Sequence, residues 1–494
     1  MNDRVTAVLA DARIADVFAS QQRACDLHPY PSADERRAHL RALKAQLARY
    51  QDVLADAISS DFGWRSAAES MMLDLLPTTL EINHAISHVE RWMKPSRRST
   101  EWLFASNSLH VHYQPKGVVG VIATWNFPVY LSMGPLAAAL AAGNRVMIKM
   151  PDVTPATNAV LKQLLGEVFD DAQVALIGDE LQDPNVFSSL PFNHIIFTGS
   201  PAVGRIVMRQ AAQNLTPVTL ELGGKSPTIV MRGYPMREAA LRIAHGKSTN
   251  AGQICVAPDY ALVPREQVAE FVSAAQEAFA RLYGPDAAAS PDYTAVASER
   301  HAIRLRAMLD DARAKGAVVT TCGEPGRNRK MPLHIVTGCS ADMALMREEI
   351  FGPILPVVPY DTHDEAIAYV RERPRPLALY CFSHDAAARD EVLRRTHSGG
   401  VTINDWAWHV INHDAPFGGV GNSGIGTYHG VEGFRELSHA RTVFKRHRFF
   451  PVGLFYPPYG GLVQRLSLKW FVGPGDPTAK KPGVQAKAQA PVAR

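Results

Sequence analysis

Hydrophobic positions in the N-terminal part of the chain follow the spacing of a helix. Four leucines share one face: Leu40, Leu43, Leu47 and Leu54. Ser32 with Glu35 three residues later predicts a capping box where this helical region begins. Gly63 lies just beyond its expected end. The pattern predicts a helix that packs against a core and carries no chemistry.

From about residue 109 short apolar runs alternate with helical patterns. The first half contains predicted strands at 109–114, 118–123, 145–149, 173–177 and 194–198, and predicted helices at 129–142, 201–212 and 236–248. The second half shows the same alternation, with predicted strands at about 260–263, 317–321 and 354–358 and predicted helices near 265–282, 298–315 and 362–372. Strands that alternate with helices indicate a parallel α/β architecture.

Composition narrows the class of protein. The 494 residues suffice for two to four domains of roughly 100–200 residues each. A formal net charge of +4 is too small to suggest nucleic-acid binding. No apolar stretch reaches the length that spans a bilayer, and no secretory leader pattern opens the chain, so we expect a cytoplasmic protein.

The five cysteines are scattered and odd in number, and no pair has the CxxC spacing of a metal site. The sequence therefore predicts free thiols in a reducing compartment and no bound metal. Most cysteines of this kind are small buried apolar residues. Only the motifs elsewhere in the chain single out one of them, Cys255.

Four motifs carry the chemistry. They are NAGQICVAP (250–258), ELGGKSP (221–227), TWNFP (124–128) and FTGSPAVG (197–204). Taken alone, Asn126 reads as a turn residue before Phe127 and Pro128, and Glu221 reads as a surface carboxylate at a strand end. Taken together and in this order, the motifs resemble those of the aldehyde dehydrogenase superfamily, over about residues 30–447.

This resemblance implies an α/β fold with a Rossmann-like cofactor domain, an α/β catalytic domain and a small β oligomerisation segment. The expected ranges are 1–106 plus 117–222 for the cofactor domain, 223–426 for the catalytic domain and 107–116 plus 427–447 for the oligomerisation segment. A C-terminal arm is expected at 448–472, and a disordered tail, rich in Pro, Ala, Gly and Lys, at 473–494. A homodimer or homotetramer follows from the family.

The same resemblance assigns roles to three residues. Cys255 attacks the aldehyde carbon and forms a thiohemiacetal. The side-chain amide of Asn126 and the N–H of Cys255 stabilise its oxyanion, and one such donor contributes about 3 kcal/mol to the transition state. Loss of hydride leaves a thioester, and Glu221 acts as the general base for the water that hydrolyses it.

A nicotinamide cofactor is expected at a second group of residues. Ser200 and Pro201 suit the start of a helix whose free N–H groups bind a pyrophosphate. The expected cofactor-binding residues are Trp125, Lys149, Asp152, Gly199, Ser200, Gly204, Glu349 and Phe351. Relatives that prefer NAD commonly have Glu where this chain has Asp152, so we expect NAD and leave NADP open. Without the resemblance, Glu349 reads as one of a Glu pair at a loop start.

Local stretches, among them WNFPVYLSMGPL (125–136) and GIGTYHGVEGF (424–434), resemble the class 3-like branch and, within it, coniferyl aldehyde dehydrogenases. The implied reaction converts coniferyl aldehyde to ferulate. Trp406, Trp408 and His409 either line an aromatic funnel or pack in the core. The glycine-rich segment 416–424 is expected near the active site. Medium- or long-chain fatty aldehydes are the alternative substrates.

Three other interpretations of the sequence are a CoA-acylating dehydrogenase, an inactive homologue and a membrane-attached enzyme. A CoA-acylating dehydrogenase commonly lacks the general base, so Glu221 argues against it. An inactive homologue is expected to have lost either Cys255 or Glu221. The aromatic-rich segment 449–472 fits an interfacial membrane anchor, but its prolines interrupt a long helix, so an arm that packs on a neighbouring subunit is preferred.

Overall fold

The computed structural model describes residues 2–178, 181 and 183–473, so the disorder predicted for 474–494 lies outside the described residues. The chain divides into two compact units. The first comprises Met1–Lys94 and His112–Arg441, and the second comprises Pro95–Val111 and the residues from Thr442 onward. Both main sheets and the candidate site belong to the first unit.

The first main sheet has six strands, all parallel except the one at its edge. In spatial order they are Gly424–Ile425, Val218–Leu222, His194–Gly199, Val118–Ile122, Arg145–Lys149 and Val174–Ile177. Buried β-branched residues fill these strands because helices cover both faces of a parallel sheet. The edge strand Gly424–Ile425 comes from the range predicted for the catalytic domain, yet it pairs with Val218–Leu222.

The second main sheet has seven strands, again parallel except for one antiparallel edge pair. In spatial order they are Val318–Thr321, His334–Thr337, Ile354–Tyr360, Tyr260–Pro264, Pro227–Val230, Ala378–Phe382 and Gly400–Ile403. A large hydrophobic cluster lies at this sheet and includes Phe271, Phe279 and Tyr380. The α/β fold predicted from the alternation of patterns is confirmed.

Helices flank both sheets, and several match the predicted ranges within a few residues. The α-helices are Asn2–Leu27, Ala33–Arg49, Gln51–Phe62, Ala67–Ser70, Leu76–Met93, Tyr130–Ala141, Pro155–Gly166, Pro184–Ser188, Pro201–Ala211, Met236–Ser248, Val268–Tyr283, Glu299–Ala314, Ala344–Arg347, His363–Arg371, Ala386–Arg395, Gly430–Glu436 and Leu462–Val472, with a π-helical turn at Met71–Leu75. The capping box of Ser32 and Glu35 is present. The leucine pattern spans two helices, which are separated at Tyr50, and Gly63 ends the second of them in a left-handed conformation.

The second unit contains the strand Ser96–Arg98, which pairs antiparallel with the first residues of Ser108–Pro115. The last part of the strand Ser438–Lys445 also lies in this unit. After the prolines at 451, 457 and 458, the segment predicted as an arm forms the short helix Leu462–Val472, whose apolar side chains are exposed. Among the described residues, no helix combines the length and the apolar run that a bilayer crossing requires.

Candidate active site

A cleft of about 980 Å³ opens in the first unit, at the carboxyl ends of strands of the first main sheet and beside the loops that precede strands of the second. Ligands of α/β proteins commonly bind at the carboxyl ends of parallel strands. Eight of the predicted site residues line the cleft: Trp125, Asn126, Gly199, Ser200, Glu221, Cys255, Glu349 and Phe351. Lys149, Asp152 and Gly204 are not among its lining residues. The structure thus gathers residues that lie as far apart in sequence as Trp125 and Phe351.

The loop before Cys255 has an unusual backbone. Asn250, Ala251 and Gly252 have φ angles of 48°, 51° and 70°. A β-carbon at Gly252 would lie 2.5 Å from the carbonyl oxygen of Gly352, so only glycine fits there. Left-handed conformations cost roughly 1–3 kcal/mol at each non-glycine residue and cluster at functional sites. The surrounding structure therefore holds the loop, and with it the thiol, in a conformation that the isolated segment disfavours.

Hydrogen bonds from distant parts of the chain hold this loop. The N–H of Asn250 donates to Oε1 of Glu69 at 2.6 Å, and its side-chain amide donates to the carbonyl of Asn126 at 3.0 Å. The Gln253 amide donates to the carbonyls of Asn250 at 2.9 Å and of Ala295 at 3.2 Å. Asn250 and Gln253 belong to the motif NAGQICVAP, but neither their hydrogen bonds nor the part of Glu69 was predicted, since nothing local marks long-range partners.

Asn126 is fixed from both sides. Its Nδ2 donates to the carbonyl of Gln253 at 3.0 Å, which leaves its second N–H available to a ligand. The backbone carbonyl of Asn126 accepts a hydrogen bond from the buried guanidinium of Arg65 at 3.2 Å. That guanidinium also donates to the carboxylate of Asp74 at 3.1 Å. Arg65 lies over the ring of Phe127, with 4.9 Å between the guanidinium carbon and the ring centroid. Sequence analysis also missed Arg65 and Asp74.

Glu221 stands near the end of the strand Val218–Leu222, opposite Thr198 on one neighbouring strand and Gly424 on the other. It is buried, and neither of its carboxylate oxygens has a hydrogen-bond partner among the described residues. Burial raises the pKa of this carboxyl well above its ordinary value, because the charged form is poorly solvated there. The surface carboxylate considered as the alternative is therefore wrong for Glu221.

A second carboxylate, Glu349, lies against the backbone of Gly223, where any β-carbon would collide with it. Burial, followed by the nearby charge of Asp259, raises the pKa of Glu349 to about 8. Burial also raises the pKa of the Cys255 thiol to about 12, and the charges of Glu349 and then Glu221 contribute to that rise. The site thus holds a protonated thiol beside two carboxyls whose pKa values burial raises.

The residues predicted to hold the cofactor's phosphates form a helix N-terminus that faces the cleft. Ser200 caps the helix Pro201–Ala211 by accepting from the N–H of Val203, and Gly199, Ser200 and Pro201 all line the cleft. Gly204 has a different position, since it is buried and a β-carbon there would lie 2.7 Å from Leu222. It lets the helix approach the sheet closely and does not face the cleft.

Lys149 and Asp152 form a pair at the end of the strand Arg145–Lys149. The Lys149 ammonium donates to Asp152 at 2.7 Å, to the carbonyl of Met150 at 2.7 Å and to that of Gly178 at 2.8 Å. These three acceptors occupy its three N–H donors. A ribose contact from Lys149 would therefore replace one of these bonds, whereas the Asp152 carboxylate is largely exposed.

Aromatic rings form one wall of the cleft near Glu349. Trp125 packs edge-on against Phe351, with centroids 5.4 Å apart, and against His301, at 5.8 Å. Nε2 of His301 donates to the carbonyl of Phe351 at 2.7 Å, which holds Phe351 in its left-handed conformation. This wall matches the apolar surface predicted beside a nicotinamide ring.

Trp406, Trp408 and His409 do not form the aromatic funnel that was one of the two alternatives for them. None of the three is among the described residues that line the cleft. Trp406 is buried against Gly246 and donates to His245, whereas Trp408 is exposed and donates to Asp405. Leu131, Phe417 and Tyr428 supply further apolar surface of the cleft. Phe417 belongs to the glycine-rich segment 416–424 that was expected near the site.

The Cys255 thiol, the Asn126 amide and two buried carboxyls thus line one cleft together with a helix N-terminus, in a fold of two α/β sheets. The chain belongs to the aldehyde dehydrogenase family, whose family model matches residues 5–443. The predicted family and its fold are thereby confirmed.

Individual relatives are similar over most of the chain. A probable coniferyl aldehyde dehydrogenase of Pseudomonas aeruginosa is 51% identical, over 92% of this chain and 96% of the relative. A coniferyl aldehyde dehydrogenase of a Pseudomonas species is 42% identical, over 85% and 89%.

Solved structures agree with these relatives. The substrate-bound Staphylococcus aureus AldH has a TM-score of 0.87 and 33% identity, over 92% of this chain and 99% of that chain. A Mycobacterium tuberculosis aldehyde dehydrogenase complexed with NAD+ has a TM-score of 0.78 and 28% identity, over 87% and 90%.

Proposed function

We propose that this aldehyde dehydrogenase oxidises an aromatic aldehyde, such as coniferyl aldehyde, to its free acid with NAD, through a thioester on Cys255. The observation that carries this proposal is the placement of the Cys255 thiol, the Asn126 amide and the buried Glu221 carboxyl around one cleft. Water is the acyl acceptor in this proposal because Glu221 is present as a base, which argues against transfer to CoA.

The chain's own groups perform each step. The Cys255 thiol releases its proton to solvent water, and its sulfur adds to the aldehyde carbon to give a thiohemiacetal. The free N–H of Asn126 and the N–H of Cys255 stabilise the oxyanion. The oxyanion then collapses to a thioester with loss of hydride, for which bound NAD supplies the acceptor. Glu221 removes a proton from the attacking water, and the acid leaves with restoration of the thiol.

The cofactor fits the residues that surround the cleft. The capped helix N-terminus after Gly199 offers N–H groups to the pyrophosphate. The ring wall of Trp125 and Phe351 suits the nicotinamide, and we assign Glu349, which lines the same cleft, to its ribose. The exposed Asp152 carboxylate would accept from the adenosine ribose and repel a 2′-phosphate, which favours NAD over NADP. The similarity to a structure complexed with NAD+ supports the same choice.

The substrate proposal draws on the relatives named coniferyl aldehyde dehydrogenase and on the rings of Phe417 and Tyr428 in the cleft wall. A substrate panel tests it: kcat/KM for coniferyl aldehyde, benzaldehyde, hexanal and a long-chain aldehyde, each with NAD and NADP. We expect coniferyl aldehyde with NAD to give the highest value. A preference for hexanal or the long-chain aldehyde would replace it with the fatty aldehyde alternative.

We also propose that the protein is a homodimer or homotetramer in which residues 449–472 pack on a second copy. The exposed apolar side chains of the helix Leu462–Val472 support this, Trp470 being 80% exposed. Light scattering of the full-length chain and of a chain truncated after residue 448 tests the assembly. Sedimentation of the full-length chain with lipid vesicles, but not of the truncated chain, would instead favour the membrane anchor.

A further inference from the structure

Three buried side chains meet behind the wall of the cleft, outside the groups that the proposed reaction uses. Glu81 lies on the helix Leu76–Met93, and His413 lies in the loop that follows the strand Gly400–Ile403. His429 immediately precedes the helix Gly430–Glu436. One ligand-type atom from each lies within 4.8 Å of the other two. Parts of the chain that are distant in sequence thus converge on one point.

All three side chains are more than nine-tenths buried, and most of their polar atoms lack a partner. Oε2 of Glu81, Nδ1 of His429 and one ring nitrogen of His413 have no hydrogen bond among the described residues, while the other ring nitrogen of His413 contacts the backbone of Pro77. Buried polar groups in native proteins are almost always satisfied, so a cluster of such atoms without partners indicates an ion or water that completes it. Three such atoms at one place are a stronger sign than an isolated one.

An ordinary ion pair does not account for the cluster. Oε2 of Glu81 is 3.8 Å from Nε2 of His429, which is too long for a hydrogen bond. Burial, followed by the charges of His413 and His84, lowers the pKa of His429 well below its ordinary value, so its ring is neutral. Burial likewise lowers the pKa of His413 to about 4. Neutral imidazoles keep a lone pair, and that lone pair is what a metal ion binds.

We propose that Glu81, His413 and His429 bind a divalent transition metal ion, with zinc as the best chemical match. Two imidazoles and one carboxylate form a common donor set for such ions, at about 2.0–2.2 Å from each ligand atom. Tetrahedral ligands at that distance lie roughly 3.3 Å apart. Small side-chain adjustments therefore suffice to close the present separation. The bound cation also compensates the Glu81 carboxylate, whose pKa burial alone raises to about 8.

The surroundings suit a structural site. The Tyr130 hydroxyl lies 3.2 Å from Nε2 of His429 and fixes the orientation of that ring, as partners of metal ligands commonly do. The ring of Phe417 stacks on His429, and Tyr428 precedes His429 in the chain. Both aromatic rings line the cleft. The metal would thus act as a positioning element for the substrate-side wall, without contact to the reacting atoms.

Metal content of the full-length protein tests the site. The Cys255→Ala variant serves as the parent protein, because a free thiol in the cleft can bind added zinc and would raise the measured metal content. After exposure to micromolar free zinc and gel filtration, we expect about one zinc ion per chain by elemental analysis. Glu81→Gln and His413→Asn in that parent should lose it. His334→Asn is the matched control, since His334 is a buried histidine that donates to Pro332, remote in sequence from the cluster.

Cobalt gives a readout that does not depend on the folding of the variants. Cobalt(II) added to the Cys255→Ala parent should show d–d bands without thiolate charge transfer, because the proposed ligands are nitrogen and oxygen. Absence of zinc and cobalt from the parent would overturn the proposal and leave water as the occupant. Equal zinc in the parent and in folded Glu81→Gln would overturn it too. Both outcomes leave the proposed dehydrogenase activity intact, since that activity is assayed separately in wild-type protein.

Discussion

Lys149 and Glu221 stand near the ends of two strands of one sheet that two other strands separate, but the hydrogen bonding of their polar atoms is opposite. Each N–H of the Lys149 ammonium has an acceptor, whereas neither oxygen of Glu221 has a partner among the described residues. A polar group whose hydrogen bonds are all made stabilises the local structure, whereas a buried group without partners can bind a ligand or exchange a proton. We therefore expect a change in the Lys149–Asp152 pair to alter cofactor binding, and a change at Glu221 to alter turnover.

The largest effect is expected at the thiol. Cys255→Ala should abolish aldehyde oxidation, because no other described cysteine lines the cleft. NAD binding should remain near wild type by fluorescence titration, since the residues that hold the cofactor are untouched. Measurable NADH formation by the variant would refute the central claim about this site.

Glu221→Gln tests the unsatisfied carboxyl directly. The variant keeps the shape of the side chain but cannot accept a proton, so thioester hydrolysis should slow by about 10²-fold or more. The first turnover should survive, and stopped-flow absorbance should show an NADH burst followed by a slow steady state. Disappearance of the burst would place Glu221 in the first half of the reaction instead.

Asn126 stands between Lys149 and Glu221 in its hydrogen bonding, because one N–H of its side-chain amide donates to Gln253 and the other is available to a ligand. Asn126→Ala should lower kcat on the order of 10²-fold, the usual cost of one oxyanion donor. Circular dichroism and thermal melting should report a folded protein with modest destabilisation, because the bond to Gln253 is also lost. An unchanged kcat would remove Asn126 from the oxyanion site.

Glu349→Gln should shift the pH dependence of thiol reactivity. Its carboxylate contributes to the raised pKa of Cys255, so removal of that negative charge stabilises the thiolate and lowers the thiol pKa. The midpoint of iodoacetamide alkylation should move down by about one pH unit. Glu348→Gln is the control, as the exposed neighbour paired with Arg304. An equal shift in the control would show a general charge effect.

The smallest effect is expected at Lys149 and Asp152, the hydrogen-bonded pair at the end of the strand Arg145–Lys149. Asp152→Ser removes an exposed carboxylate, whose repulsion of a 2′-phosphate is screened by solvent. The ratio of kcat/KM for NADP to that for NAD should rise roughly five-fold, the equivalent of about 1 kcal/mol. A constant ratio would mean that other residues select the cofactor.

Short apolar runs and the four motifs predicted much of this architecture. The strand Arg145–Lys149 has the predicted bounds, and the motif residues Cys255, Asn126 and Glu221 meet in one cleft. The bonds of Arg65 and Asn250 could not be predicted, because they join residues far apart in sequence that share no local pattern. The funnel prediction failed because aromatic residues after a strand do not reveal which surface they face.

The left-handed turn ahead of Cys255 also bears on the order in which the protein matures. Asn250, Ala251 and Gly252 adopt their conformation only where Glu69, Asn126 and Gly352 are already in place around them. A nascent or damaged chain lacks those partners, so its thiol has neither the oriented amide nor the buried carboxyls beside it. Reactivity towards aldehydes is therefore a late property of this chain, acquired only after distant segments have assembled.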